Sequence, residues 1–380
     1  MKPTAKRTAA VVPSATVRLG ALVMEARARG EDVLSLSGGE PDFPTPAHIV
    51  EAAKRALDEG FTKYTHPMGI PELRQAIAAR AAKENGIPAT PADVMVTPTK
   101  HGVYCACMAL VDPGDEVLLP DPGWVSYEPM VRLAGGVPVP VLADEGTDFR
   151  MLPEAVAAAV TPRTKLVILN SPSNPAGGVL TREDVRGIAE VCADNDLYLV
   201  SDEIYEKLVY EGEHVSPAAL PGMWERTVTV SGFSKTYAMT GWRLGWLLAA
   251  KGPLGEIAKV QEHTLTCCTS FAQKAGVAAL TGPEGPLQAM VAEFRARREV
   301  LLAGLKRLGW PCAAPRGAFF AFPRTPGRSS DLAERLLKEA RVAVVPGSAF
   351  GAAGEGHLRL SYATGRDRIT EGLERIARVL

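Results

Sequence analysis

Three residue types at the ends of apolar runs could carry chemistry in this sequence: a lysine, a carboxylate and an arginine. Lys235 follows Thr227-Val228-Thr229-Val230-Ser231-Gly232-Phe233-Ser234, a β-branched run that ends in small residues. An amine mounted there can attack an aldehyde once it is neutral, and desolvation or a neighbouring cation lowers its pKa in that direction. Arg243 supplies such a cation and can also bind a phosphate. Asp202 closes Leu197-Tyr198-Leu199-Val200-Ser201. A carboxylate at the edge of a buried strand needs a cationic partner, and a protonated pyridine nitrogen would serve, making the ring an electron sink for a carbanion. Arg359 alternates with leucines in His357-Leu358-Arg359-Leu360-Ser361, so it points away from them and can grip a carboxylate through two parallel hydrogen bonds.

Supporting residues fall at neighbouring strand ends. Tyr205 can donate to a ring oxygen, and so can Asn174, in the loop Asn170-Ser171-Pro172-Ser173-Asn174-Pro175-Ala176-Gly177-Gly178 whose prolines and glycines fix its path. Trp124 offers a flat face for a pyridine ring. Each has an ordinary alternative: Asp202 as a helix cap, Lys235 as a solvated surface charge, Asn174 as a plain turn, Trp124 as core, and Arg359 as a surface or ion-paired residue. Only the constellation favours chemistry.

Something must hold these residues together. Seven short apolar runs, at 94–97, 116–120, 137–141, 165–170, 197–202, 227–232 and 244–249, alternate with segments of helical period, which predicts an α/β architecture. Continuous runs such as Leu166-Val167-Ile168-Leu169 suit strands covered on both faces, so the sheet should be central and mostly parallel. A helix over 182–195, capped by Thr181, fits between two of them. Ligands in such sheets sit beyond the carboxyl ends of the strands, where Asn170, Asp202 and Ser231 to Lys235 fall. Beyond about residue 285 the pattern changes to a long charged helix over 290–308, short strands at 318–322 and 357–361, and a terminal helix. The expected division is 1–45 packing with the C-terminal part, 46–284 as a large domain and 285–380 as a small one.

Composition removes other classes. With 42 Lys and Arg against 43 Asp and Glu, no basic block marks a nucleic-acid surface. The apolar stretch after Lys6 and Arg7 stops at Pro13, too short for a signal peptide or membrane span. Six scattered cysteines without zinc-ligand spacing read as reduced, packed thiols in the cytoplasm, with no metal required.

The motifs together resemble the class I aminotransferases of pyridoxal 5′-phosphate (PLP) fold type I, in the subgroup of bacterial aspartate and aspartate/prephenate aminotransferases. The likeness runs nearly end to end: Pro13-Ser14-Ala15-Thr16-Val17, Gly39-Glu40-Pro41-Asp42-Phe43, Lys63-Tyr64, Gly69-Ile70-Pro71-Glu72-Leu73-Arg74, Ser171-Pro172-Ser173-Asn174-Pro175, Ser201-Asp202-Glu203-Ile204-Tyr205, Ser234-Lys235 through Gly241-Trp242-Arg243, and Arg359-Leu360-Ser361-Tyr362. It implies a large domain with a mostly parallel seven-stranded sheet flanked by helices, plus a smaller α+β domain. By this resemblance Lys235 is the Schiff-base lysine with Ser234 beside it. Asp202 is the pyridinium partner, Tyr205 and Asn174 are the ring-oxygen partners, Arg243 is a phosphate ligand and Trp124 is the stacking residue. Arg359 and the Gly39 backbone bind the substrate α-carboxylate. Tyr64 is similar to a phosphate-binding tyrosine contributed across a dimer interface, which implies a homodimer with shared sites.

The implied activity is transfer of an amino group from an L-amino acid, aspartate first, to a 2-oxo acid such as 2-oxoglutarate. A carbon-sulfur lyase or related Cα or Cβ chemistry on the same fold is the alternative, because substrate orientation decides which bond breaks. Two departures from the family stand out. Its glycine-rich phosphate loop is replaced by Pro98-Thr99-Lys100-His101-Gly102, leaving the Thr99 and Lys100 amides and the Thr99 hydroxyl to serve. Lysines that acidic-substrate relatives use for the distal carboxylate align with Val12 and His101, with Lys100 one residue away.

Overall fold

The computed structural model describes residues 2–380. All seven expected runs are strands: β1 (Val94–Val96), β2 (Glu116–Asp121), β3 (Val137–Leu142), β4 (Thr164–Asn170), β5 (Tyr198–Asp202), β6 (Thr227–Gly232) and β7 (Gly245–Leu248). They form one sheet in the order β1-β7-β6-β5-β4-β2-β3. Pairing is parallel throughout except at β7, which runs antiparallel to both β1 and β6.

Residue type explains the order. Strands β4 and β5 are apolar along most of their length, β6 alternates threonine with valine, and all three are nearly wholly buried, as central strands covered by helices must be. Strand β3 carries Pro138 and Pro140, which cannot donate to a ladder, and it lies at the edge with Val137 and Leu142 exposed. Helix Arg182–Asp194 is closed by a reciprocal capping box between Thr181 and Asp184, and it buries Ile188 and Cys192. Because β2, β4, β5 and β6 run in one direction, their last residues Asp121, Asn170, Asp202 and Gly232 share one rim.

Beyond the sheet, a helix spans Gly285–Arg307, starting earlier than its hydrophobic pattern because Pro286 fits the first turn. Strands β8 (Phe320–Ala321), β9 (Val345–Pro346) and β10 (Leu358–Ser361) form an antiparallel sheet in the order β9-β10-β8, and helix Arg366–Ala377 follows. Phe294, Phe319, Phe320 and Tyr362 fill this core together with Leu34 and Leu36 from the N-terminal segment. That segment forms helix Ala15–Ala28 and a short strand, Leu34–Ser35, paired in parallel with Val342–Ala343. Among the described residues no helix is long and apolar enough to cross a membrane.

Candidate active site

A cleft of about 710 Å³ opens beyond the shared strand rim, walled by helix Ala15–Ala28 on one side and reached by Arg359 of β10 from another. Gly39, Thr99, Lys100, Trp124, Asn174, Asp202, Tyr205, Ser234, Lys235, Arg243 and Arg359 all line it. Tyr64 does not; it stands on the surface at 89% exposure. Val12 lines a neighbouring cavity, and His101 bonds Thr264 Oγ1 at 3.0 Å and Cys105 Sγ at 3.3 Å.

Lys235 sits in a single helical turn, Phe233–Thr236, at the end of β6, and its Nζ donates to the Gly39 carbonyl at 2.5 Å. Burial pushes its pKa down to about 8; Arg243 and Arg359 act with burial, while Glu40 and Asp202 oppose it. The amine therefore spends an appreciable fraction of its time neutral near physiological pH. The Gly39 backbone, which the resemblance sets at the substrate carboxylate, here offers its carbonyl to the lysine.

Asp202, at the end of β5, is 4% exposed. Its carboxylate accepts from the Tyr127 hydroxyl at 2.8 Å and the Ile204 amide at 3.2 Å, and burial still pushes its pKa up to about 6. Neither donor is a cation. Tyr127 is a partner the sequence reading missed; its one signal was its place three residues after Trp124, whose ring it meets edge-on at 5.2 Å.

A chain of hydrogen bonds ties the far wall together. Asn170 Nδ2 donates to the Asp202 carbonyl at 3.0 Å and Asn170 Oδ1 accepts from the Asn174 amide at 2.9 Å. Asn174 Oδ1 accepts from Arg359 Nη1 at 3.1 Å, and Arg359 Nη2 donates to the Ser37 carbonyl at 2.7 Å. Arg359 lies over Phe320 and Phe350 at 4.5 and 5.0 Å, and its buried Nε has no partner. Burial brings its pKa down to about 10, so it remains a cation. Tyr205 packs edge-on against Phe319 and Phe320, and burial holds its phenol protonated.

The opposite end is cationic. Arg243 has a left-handed backbone, φ 53°, an uncommon conformation for a side chain of this size. Its Nη1 donates to the Thr240 carbonyl at 2.9 Å. Helix Thr99–Leu110 begins here at Pro98 without a side-chain cap, so first-turn amides face the cleft end. The Thr99 hydroxyl gives its proton to the Ser231 carbonyl at 2.9 Å, so its expected bond to a phosphate falls to the amide. That hydroxyl lies where a Cβ on Gly232 or Gly245 would be 2.5 Å away, so two glycines let the helix close onto the sheet. Lys100 holds its Nζ 5.1 Å from the Trp124 ring centre.

Pyridoxal phosphate fits this donor set. A buried carboxylate without a cationic partner suits a protonated ring nitrogen, a lysine amine near 8 suits an aldehyde, and Arg243 with an uncapped helix start suits a phosphate. Arg359, with a buried and unpartnered Nε, retains capacity for a carboxylate.

Comparison with known proteins points to one family. A family model described as "Aminotransferase class I and II" matches residues 31–376. The probable aspartate/prephenate aminotransferase of Thermus aquaticus is 46% identical, over 100% of both chains. The aromatic-amino-acid aminotransferase 2 of Thermococcus litoralis is 44% identical, over 92% of each. The solved structure of Thermus thermophilus aspartate aminotransferase with maleate is 45% identical and superposes with a TM-score of 0.97, covering 100% of both chains.

Proposed function

This chain belongs to the class I and II aminotransferases and is a pyridoxal-phosphate-dependent enzyme of that kind, and from that premise we propose that it moves the amino group of L-aspartate to 2-oxoglutarate in a ping-pong cycle. The observation that carries the reading is the convergence of Lys235, Asp202 and Arg359 on one cleft. The aspartate preference draws on the names of the Thermus aquaticus relative and the Thermus thermophilus structure. His101, bonded to Thr264 and Cys105, favours a second reading in which neutral donors are also accepted, aromatic ones among them, the class that the name of the Thermococcus litoralis relative gives.

Bound pyridoxal phosphate supplies a cationic ring that accepts the electron pair released when the substrate Cα loses its proton. Asp202 would hold the proton on the ring nitrogen, with Tyr127 and the Ile204 amide fixing the carboxylate in place. Tyr205 and Asn174 would donate to the ring oxygen, and Trp124 would stack on the ring face. Arg243, Ser234 and the Thr99 and Lys100 amides would take the phosphate. Arg359, with the backbone near Gly39, would bind the α-carboxylate and so orient the Cα–H bond toward Lys235. The neutral fraction of the Lys235 amine, enlarged by its depressed pKa, would take that proton from the substrate Cα and hand it on within the same half-reaction, the second half running the transfer in reverse.

We assign residues 46–284 to a cofactor domain and 285–380 to a smaller one, with 1–45 packed on the latter; the shared core of Leu34 and Leu36 supports this. A homodimer with shared sites is supported by the exposure of Tyr64, which would reach the cleft of a second copy. Six free cysteines support a cytoplasmic location.

The test is a single turnover. Aspartate alone should give one oxaloacetate per site, and adding 2-oxoglutarate should turn this into continuous formation of glutamate and oxaloacetate. Continuous release of ammonia and a deaminated product without any oxo acid would replace this reading with the lyase one.

A further inference from the structure

The phosphate end of the cleft has lost a donor and gained a cation. The Thr99 hydroxyl is committed to Ser231, and the loop lacks the glycines whose amides would cradle an anion closely. The next residue, Lys100, lies in the first turn of the same helix, lines the cleft and extends over Trp124, the aromatic wall of the cofactor site. Arg243 lines the same cleft with one guanidinium bond to protein, to Thr240. Two cations and the positive end of a twelve-residue helix thus lie along one cleft, Arg243 bonded to a carbonyl and Lys100 set over an aromatic face, while the Glu40 carboxylate of the same cleft accepts from the Thr240 hydroxyl. Like charges brought together this way are costly until an anion joins them. Partial burial, and with it the nearby Arg243, weakens the hold of Lys100 on its proton. Its place in the helix turn that starts at Thr99, with its amine over Trp124, sets Lys100 at the phosphate end of the cleft rather than at the α-carboxylate end.

We propose that the Lys100 ammonium is a direct counter-ion of the cofactor phosphate, acting with Arg243 and taking over part of the task that backbone amides perform in the family's glycine-rich loop. This rests on the pyridoxal phosphate reading above. It assigns Lys100 a side-chain role in cofactor binding, and it removes Lys100 as a stand-in for the distal-carboxylate lysine.

The experiment compares two probes that differ only in the phosphate. Apoprotein is titrated with pyridoxal 5′-phosphate and with pyridoxal, following absorbance and Trp fluorescence, for wild type, Lys100→Met and Lys100→Arg. Lys100→Met should raise the Kd for pyridoxal phosphate by about ten-fold or more, the usual scale for a charge-assisted bond, and leave pyridoxal binding unchanged. Lys100→Arg should restore most of the loss. An unchanged pyridoxal phosphate Kd in Lys100→Met would overturn the proposal, most clearly if KM for aspartate rose instead. Equal weakening of both probes would overturn it too, since that reports a disturbed fold. Wild-type apoprotein that bound neither probe would overturn the cofactor reading itself.

Discussion

Asp202 and Glu203 are consecutive, both buried, and meet opposite fates. Asp202 faces the cleft, where its donors are a phenol and an amide, and burial lifts it to about 6. Glu203 turns to the other side and enters a packed polar network. Ser201 and Ser216 each donate to its Oε1 at 2.8 Å, and His214 Nε2 lies 2.9 Å from Oε2. The network continues to Glu206, which accepts from Ser231 at 3.0 Å and Asn85 at 2.7 Å and pairs with Arg80 at 3.4 Å. Burial opposes ionisation there as well, yet the neighbouring charges prevail: Glu206 ends below the ordinary carboxylate range, and His214 and Arg80 end above theirs. In the cleft the balance is reversed, and Asp202, Lys235 and Arg359 are all displaced toward their neutral forms. A buried charge supplied with partners is architecture; one left short of partners is a place prepared for a ligand.

The comparison can be broken from either side. Lys235→Ala should lower turnover by at least about 10⁴-fold, the combined scale of a lost nucleophile and proton carrier, while leaving the unfolding midpoint of the apoprotein unchanged; near-normal turnover would refute the assignment. Arg80→Met should do the reverse. It strands Glu206 without its cation, so urea unfolding should show a loss of about 3–5 kcal/mol, with the folded fraction retaining its activity. Loss of turnover at intact stability would place Arg80 with the chemistry instead.

The smallest effect is the sharpest test. In the apoprotein Asp202 holds its proton up to about pH 6, against an ordinary 3.8. The folded state therefore binds more protons than the unfolded one between those values, and stability falls as pH rises through that window. Asp202→Asn removes this dependence. Relative to wild type, the apoprotein variant should gain up to about 3 kcal/mol between pH 4 and 6, measured by denaturant melts across pH, even as turnover collapses. A flat difference would mean Asp202 is already satisfied without cofactor.

Much of this was legible in the residues. Strands buried on both faces appear as continuous apolar runs, and these were placed to within a residue or so, as was the half-exposed edge strand β3; the polar residues ending the central runs marked the rim of the cleft. Arg359 was legible because alternation on a short strand fixes its side. Tyr127 was not, since a helix turn of aromatic residues reads as core until the strand beside it is placed. The Glu203, Glu206, His214 and Arg80 network was invisible for a related reason: Glu203, Glu206 and His214 lie along one stretch of chain, but the arginine that completes them, Arg80, comes from a distant helix. Helix Ala15–Ala28 as a wall of the cleft escaped as well, because its weak amphipathic pattern does not reveal which face a ligand will see. The Thr99 hydroxyl could be named as a donor, but its use is decided by the distance to Ser231, a fact of tertiary packing.

That packing sets limits on how the molecule can be re-engineered. Gly232 and Gly245 each leave no room for a methyl group against Thr99, so the helix start at the phosphate end and the turn bearing Lys235 are registered on one another through a contact that has no slack. In a mutagenesis library aimed at new amino donors, positions 232 and 245 should return almost no active clones. Helix Ala15–Ala28, which walls the same cleft without gripping the sheet, is where substitutions should accumulate.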